Sequence, residues 1–142
     1  MPKARFFIDR CLESPSLIKG LREAGLDVVT MRDAFGDRGE QVTDLEWLRY
    51  CGQHNLIALT KDSRISRNQV EREAVIANKV RYVRTTAAGL RIDMIQDRIL
   101  QHRKKLENLI NQAGPTFHKI DGSGFTNETR KMLKKSQHPS NQ

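Results

Sequence analysis

The chain has 142 residues, 37% of them hydrophobic and 30% charged, with a formal net charge of +8. That length makes one ordinary domain, able to bury roughly two-thirds of the surface its unfolded chain would expose. No apolar run approaches the ~20 residues that span a bilayer, and no signal-peptide core opens the sequence, so a cytoplasmic protein without a membrane partner is expected.

The charge is unevenly spread. Residues 1–60 hold eight Lys or Arg against nine Asp or Glu, whereas residues 61–142 hold seventeen against eight. A near-neutral first part that carries acidic motifs beside a strongly basic second part suits a metal site next to a phosphate-binding surface. Cys11 and Cys51 form no CxxC pair, which removes a zinc reading, and both are expected as reduced, small core residues.

The first element is Arg5-Phe6-Phe7-Ile8, an apolar run too short for a helical period that stops at Asp9. Such a run reads as a buried parallel strand. Ser14 can cap a following helix with Pro15 at its first position, and that helix carries Leu17, Ile18, Leu21 and Ala24 before Gly25 ends it. Leu26 to Thr30, rich in β-branched residues, is a second strand, which completes a β-α-β unit. Met31 to Gln41, with Gly36 and Gly39, is expected as a long loop of the kind that often serves function.

Thr43-Asp44-Leu45-Glu46 opens a helix through Trp47, Leu48 and Cys51. Asn55 to Thr60 is a third strand, and Lys61-Asp62 again delivers an acid just past its end. A helix is expected over Gln69 to Asn78, a fourth strand over Val80 to Val83, and one long helix over Ala87 to Asn111 with Leu90, Ile92, Ile95, Ile99 and Leu106 near helical spacing. Gly114-Pro115 stops it. Thr116 to Ile120 reads as an edge strand or a packed extension, and Asp121 to Gly124 as a turn. The alternation implies a three-layer α/β/α domain over residues 1–120, with a mostly parallel central sheet of four to five strands, followed by a basic, flexible tail over 121–142. Strand order stays open at this level.

In an open α/β sheet, ligands bind outside the carboxyl ends of the strands. Asp9 and Asp62 stand at that rim, and clustered acids without His or Cys suit Mg²⁺ or Mn²⁺. Asp44 and Glu46 compete for a third place, because Thr43 and Glu46 spell a capping box that offers Glu46 a purely structural role. The four histidines match no metal or nucleophilic spacing.

The ordered set Phe6-Phe7-Ile8-Asp9, Thr43-Asp44-Leu45-Glu46-Trp47-Leu48 and Leu59-Thr60-Lys61-Asp62, with the later Glu71-Arg72-Glu73-Ala74 and Gly114-Pro115-Thr116-Phe117, resembles the PIN-like domains. The likeness is nearest to their small VapC-type toxin branch and covers about residues 5–120. It implies a metal-dependent endoribonuclease, the toxin of a toxin–antitoxin pair, that uses Mg²⁺ or Mn²⁺ held by three or four acids. It also implies RNA as substrate, a homodimer, and an antitoxin protein as partner. The catalytic candidates are Asp9, Asp44, Asp62 and Glu46, and the metal candidates Asp9, Asp44, Asp62 and Glu71. Related sequences often place a further Asp two residues after the one matching Asp62. Here Arg64 stands there, so one metal or two stays open. Arg10, Arg32, Lys61, Arg64 and Arg67 are the expected RNA-phosphate contacts. The alternative is a catalytically degenerate module of the same fold that binds nucleic acid or protein. A receiver-like signalling domain, also doubly wound, lacks the expected second acidic pair.

Overall fold

Four short apolar runs become parallel strands: β1 (Arg5–Ile8), β2 (Asp27–Thr30), β3 (Ile57–Lys61) and β4 (Arg81–Thr85). The computed structural model describes residues 3–61, 65–86 and 89–137. A fifth parallel strand, β5 (Thr116–Asp121), and an antiparallel one, β6 (Gly124–Asn127), complete a sheet ordered β2-β1-β3-β4-β5-β6. The three-layer, mostly parallel expectation is met. The sheet is larger than the expected four to five strands, because β5 is interior and the Asp121–Gly124 turn closes a hairpin. Asp121 Oδ1 accepts from the amides of Ser123 (2.8 Å) and Gly124 (3.1 Å), and Gly124 takes a φ of 141° that favours glycine.

The helices cover both faces because the strands alternate. Phe6, Ile8, Val28 and Leu59 pack with Leu17 and Leu21 of α1 (Pro15–Glu23), Ile95 and Ile99 of α5 (Ile92–Gln101), and Leu106 of α6 (Arg103–Asn108). Phe7, Val29, Ala58 and Tyr82 point the other way, toward Trp47 and Leu48 of α3 (Asp44–His54), Val75 of α4 (Gln69–Ala77), and Met132 of α7 (Thr129–Gln137). Among the described residues no helix is long and apolar enough to cross a membrane.

Three expectations need correction. The Met31–Gln41 loop is in fact the helix α2 (Met31–Phe35) followed by a 3-10 turn over Gly36–Gln41. Its start is a second capping box, in which the Thr30 hydroxyl accepts from Asp33 N and the Asp33 carboxylate accepts from Thr30 N, both at 3.0 Å. The single long helix is broken at His102 into α5 and α6, and the break turns Leu106, Leu109 and Ile110 onto the same core cluster as Ile95 and Ile99. Its expected start at Ala87 lies outside the described residues. Finally, the segment expected to be flexible from residue 121 supplies β6 and α7, whose Met132 is fully buried. Residues 138–142 lie outside the description.

The strand order places the site. β1 has β2 on one side and β3 on the other. The chain's direction of winding therefore reverses between β1 and β3, and a crevice opens at their carboxyl ends.

Candidate functional site

Asp9 continues the line of β1 past its last paired residue. Its amide donates to Leu59 O at 3.0 Å, so the carboxylate is fixed by the sheet and not by a free loop. Register sets Ile8 opposite Leu59, which brings Thr60 beside Asp9. The buried Thr60 hydroxyl donates to Asp9 Oδ2 at 2.7 Å, and the Cys11 thiol reaches the same oxygen at 3.2 Å. Among the described residues Oδ1 has no donor and stays available. Cys11 is exposed, not a core residue as expected, whereas Cys51 is buried. The 3-10 turn Arg10–Leu12 carries Cys11 out of the core and back to the rim, where its sulfur accepts from Lys61 N at 3.4 Å.

The start of α3 supplies the second acid. Thr43 and Glu46 form the full capping box, and Glu46 Oε2 also pairs with Arg38 at 3.1 Å. These hydrogen bonds, the Thr43 amide first, hold the Glu46 carboxyl below its ordinary value. Asp44, one turn before Trp47, accepts from the indole Nε1 at 2.9 Å. Trp47 is buried and stacks on Phe7, with ring centroids 5.3 Å apart and planes 12° apart. A rigid chain of contacts thus runs from β1 to the Asp44 carboxylate.

The third acid is Glu71, in the first turn of α4. Asn68 caps this helix, accepting from Glu71 N at 3.0 Å and donating to its Oε2 at 3.2 Å. The Tyr82 hydroxyl donates to Oε1 at 3.1 Å. Glu71 is 8% exposed. Burial first, then the charge of Asp44, and more weakly that of Asp9, push its carboxyl above its ordinary value against the lowering effect of Tyr82.

The sign of a stability test follows. The folded-state value lies above the 4.5 of a free glutamate, so the burial penalty is full above the folded value. It shrinks as pH falls through that value and is gone below the unfolded one. Glu71→Gln, in metal-free protein, should therefore raise the melting temperature at pH 7–8, by roughly 2–6 °C for each kcal/mol relieved. The gain should vanish by pH 4. Thermal scans across that range check it, and an equal gain at every pH would mean the ionised carboxylate carries no penalty.

The remaining candidates are distributed as follows. Asp62 and Arg64 lie outside the described residues. Arg10 donates to Gly39 O and, at 3.1 Å, to Val42 O, so it holds the segment after α2 in place. Arg32 makes a long, exposed pair with Asp37 at 3.9 Å. Lys61 and Arg67 are exposed with no ion pair among the described residues. A cleft of about 610 Å³ opens beside Arg10, lined also by Glu13, Met31, Arg32 and Glu40.

Among the described residues no three His, Cys, Asp or Glu side chains come together closely enough to hold a metal ion. Glu71 nonetheless feels the charges of Asp44 and, more weakly, Asp9, after the larger effect of its own burial. The three side chains offer oxygen donors alone, and among the described residues Asp9 Oδ1 is open. That set fits a hard divalent cation that keeps several waters and takes few protein carboxylates. Sequence reasoning missed Thr60, Cys11, Trp47, Asn68 and Tyr82 as the groups that orient these acids. The readable signals were the spacing of three between Asp44 and Trp47 on one helix and the same spacing between Asn68 and Glu71 at a helix start.

A family model described as "PIN like domain" matches residues 4–87. A curated protein of Mycobacterium tuberculosis (strain ATCC 25618 / H37Rv), named "Putative ribonuclease VapC45", is 26% identical over 118 residues, which is 82% of this chain and 86% of that protein. No solved structure matches significantly.

Proposed function

The chain belongs to the PIN-like domain family, and from that premise we propose that it is a metal-dependent endoribonuclease that hydrolyses RNA phosphodiester bonds. The observation that carries this reading is the buried Glu71 carboxylate, held by Tyr82 and Asn68 and raised by its burial first and then by the charges of Asp44 and Asp9. Glu71 thus feels two acids from other elements, with no basic side chain among the causes of its shift. Such an arrangement is unfavourable by itself and becomes favourable when a cation is bound.

Asp9, Asp44, Asp62 and Glu71 would hold Mg²⁺ or Mn²⁺. A divalent ion in such a set neutralises phosphate charge and makes water an effective nucleophile near neutral pH. The chain's own groups prepare that chemistry. Thr60 and Cys11 fix one oxygen of Asp9 and leave the other open. Trp47 aims Asp44, and Tyr82 with Asn68 holds Glu71. The geometry supports Asp44 over Glu46 as the ligand, because Glu46 is engaged by Thr43 and Arg38. Lys61, Arg64, Arg67 and Arg32 would take RNA phosphates, and Arg10 shapes the adjoining cleft from within.

The ribonuclease name of the relative supports RNA as the substrate. We place the chain as the toxin of a toxin–antitoxin pair, a cytoplasmic homodimer held inactive by an antitoxin protein. The test is incubation of the purified protein with a pool of structured and single-stranded RNA in Mg²⁺, Mn²⁺ or EDTA. Cleavage in either metal and none in EDTA is expected. Binding of RNA without cleavage in any metal would replace this reading with that of a degenerate binding module.

A further inference from the structure

We propose that α7 is an RNA-phosphate-binding surface that extends the candidate active site, with Lys131 and Lys135 as its contacts. This rests on the ribonuclease reading and names a part of the molecule beyond residues 4–87, where the family model matches.

The helix is built to end at the rim. It starts low on the sheet, where Glu128 N donates to Phe117 O at 2.7 Å and Phe117 N donates to Thr129 Oγ1 at 3.0 Å. Its foot is anchored by a buried bidentate pair, Arg84 to Glu128, with both bonds at 3.0 Å. Met132 seats the middle in the core. At its far end Ser136 Oγ accepts from Arg72 Nε at 3.2 Å, and Lys135 Nζ donates to Ser66 O at 3.4 Å. Ser66 belongs to the connection that leaves β3 at the carboxyl rim, between Asp62 and α4. The last turn of α7 therefore stands beside the β3–α4 connection.

Its charge is unusual for this surface. Arg130, Lys131, Lys134 and Lys135 are all exposed, and among the described residues none of them has an ion pair. Arg22, Arg38 and Arg91 are paired with Asp33, Glu46 and Asp93, while Arg49, Arg67 and several lysines are exposed without an ion pair among the described residues; what sets α7 apart is that it gathers four such cations in one short helix. Four uncompensated cations on nine residues favour a polyanion. Helical spacing puts Lys131 and Lys135 on one side, four residues apart, and Lys135 shows that this side faces the β3–α4 connection. Lys61 at the end of β3 and Arg67 in the connection add two further exposed cations to the segment that Lys135 touches. Arg130 and Lys134 form a second pair about 100° further around the helix axis.

The test is binding of a fluorescein-labelled single-stranded 20-nucleotide RNA in EDTA, where no cleavage occurs, over a series of salt concentrations. Lys131→Gln with Lys135→Gln should lower the salt slope of log affinity by about 1.4, since each phosphate contact to a single strand contributes roughly 0.7. The control, Arg130→Gln with Lys134→Gln, makes the same change in net charge and should leave the slope within experimental error. An unchanged slope in the first pair, or an equal fall in both pairs, overturns the proposal while leaving the ribonuclease reading intact. Wild-type protein that binds no RNA overturns both. Circular dichroism of the two variants, expected to match wild type, shows that any loss is not a loss of α7.

Discussion

Asp9→Asn is expected to lower RNA cleavage by about 10³-fold or more, which corresponds to roughly 4 kcal/mol of transition-state stabilisation. The substitution is nearly isosteric and leaves the backbone bond to Leu59 untouched. The Thr60 hydroxyl can still donate to the amide oxygen. What disappears is a full negative charge at the one point where β1 delivers an open carboxylate oxygen to the crevice, and with it a ligand for a hard cation. A second readout separates this from damage to the fold. Because Asp9 adds to the raising of Glu71, removing its charge relieves a repulsion, so the metal-free variant should melt no lower than wild type at pH 7–8. Cleavage rates at saturating Mn²⁺, beside melting curves in EDTA, check both halves. Near-wild-type cleavage would remove Asp9 from the metal site.

Trp47 should show the next largest effects, and two substitutions divide its two roles. Trp47→Ala removes the largest fully buried side chain and its stacking on Phe7. Replacements of this kind cost about 3–5 kcal/mol, a large part of the ~5–15 kcal/mol that holds a domain folded. Urea denaturation of this variant should show a clear fall in midpoint. Trp47→Phe keeps an aromatic ring on Phe7 but removes the N–H that holds Asp44. A hydrogen bond to a charged acceptor contributes about 1.5–3 kcal/mol, so cleavage at limiting Mg²⁺ should fall roughly tenfold to a hundredfold. Much of that loss should be recovered at high Mg²⁺, because the carboxylate remains and only its orientation is lost. Trp47 is the sole tryptophan. In wild type its fluorescence should respond to Mg²⁺ without RNA, and that response should disappear in Asp44→Asn.

Much of the framework was legible from local pattern. The strands at Arg5–Ile8, Ile57–Lys61 and Arg81–Thr85 announced themselves as short apolar runs, and α3 by the Thr43–Glu46 capping box with Trp47, Leu48 and Cys51 on one face. A strand ending in Asp9 needed no partner to be recognised. These features depend on residues within one turn or one strand, where backbone preference and side-chain period act without help from the rest of the chain. The Thr30–Asp33 box shows the limit of that reading: it is equally local, but two glycines and five charges hid a helix inside an expected loop.

What tertiary structure alone decided is which distant residues meet. That β3 lies beside β1 puts Thr60 on Asp9, 51 positions away, and no property of either segment dictates that pairing. Glu71 read as a metal candidate on a helix; only the folded chain buries it, under Tyr82 and within the field of Asp44. Arg10 read as a phosphate contact, yet the fold lays the Gly39–Val42 backbone across it and engages its guanidinium there. The C-terminal residues read as a polar tail because α7 has one deeply buried apolar residue, Met132, and its attachment depends on Glu128 finding Arg84. The sequence by itself determined most of the strands and helices, the acid that ends β1 and the family, but not α2, the break at His102, β6 or α7. Burial and strand order determined which acids repel, which cations are engaged and which remain open, because desolvation and charge–charge energies depend on distances that only the folded chain sets.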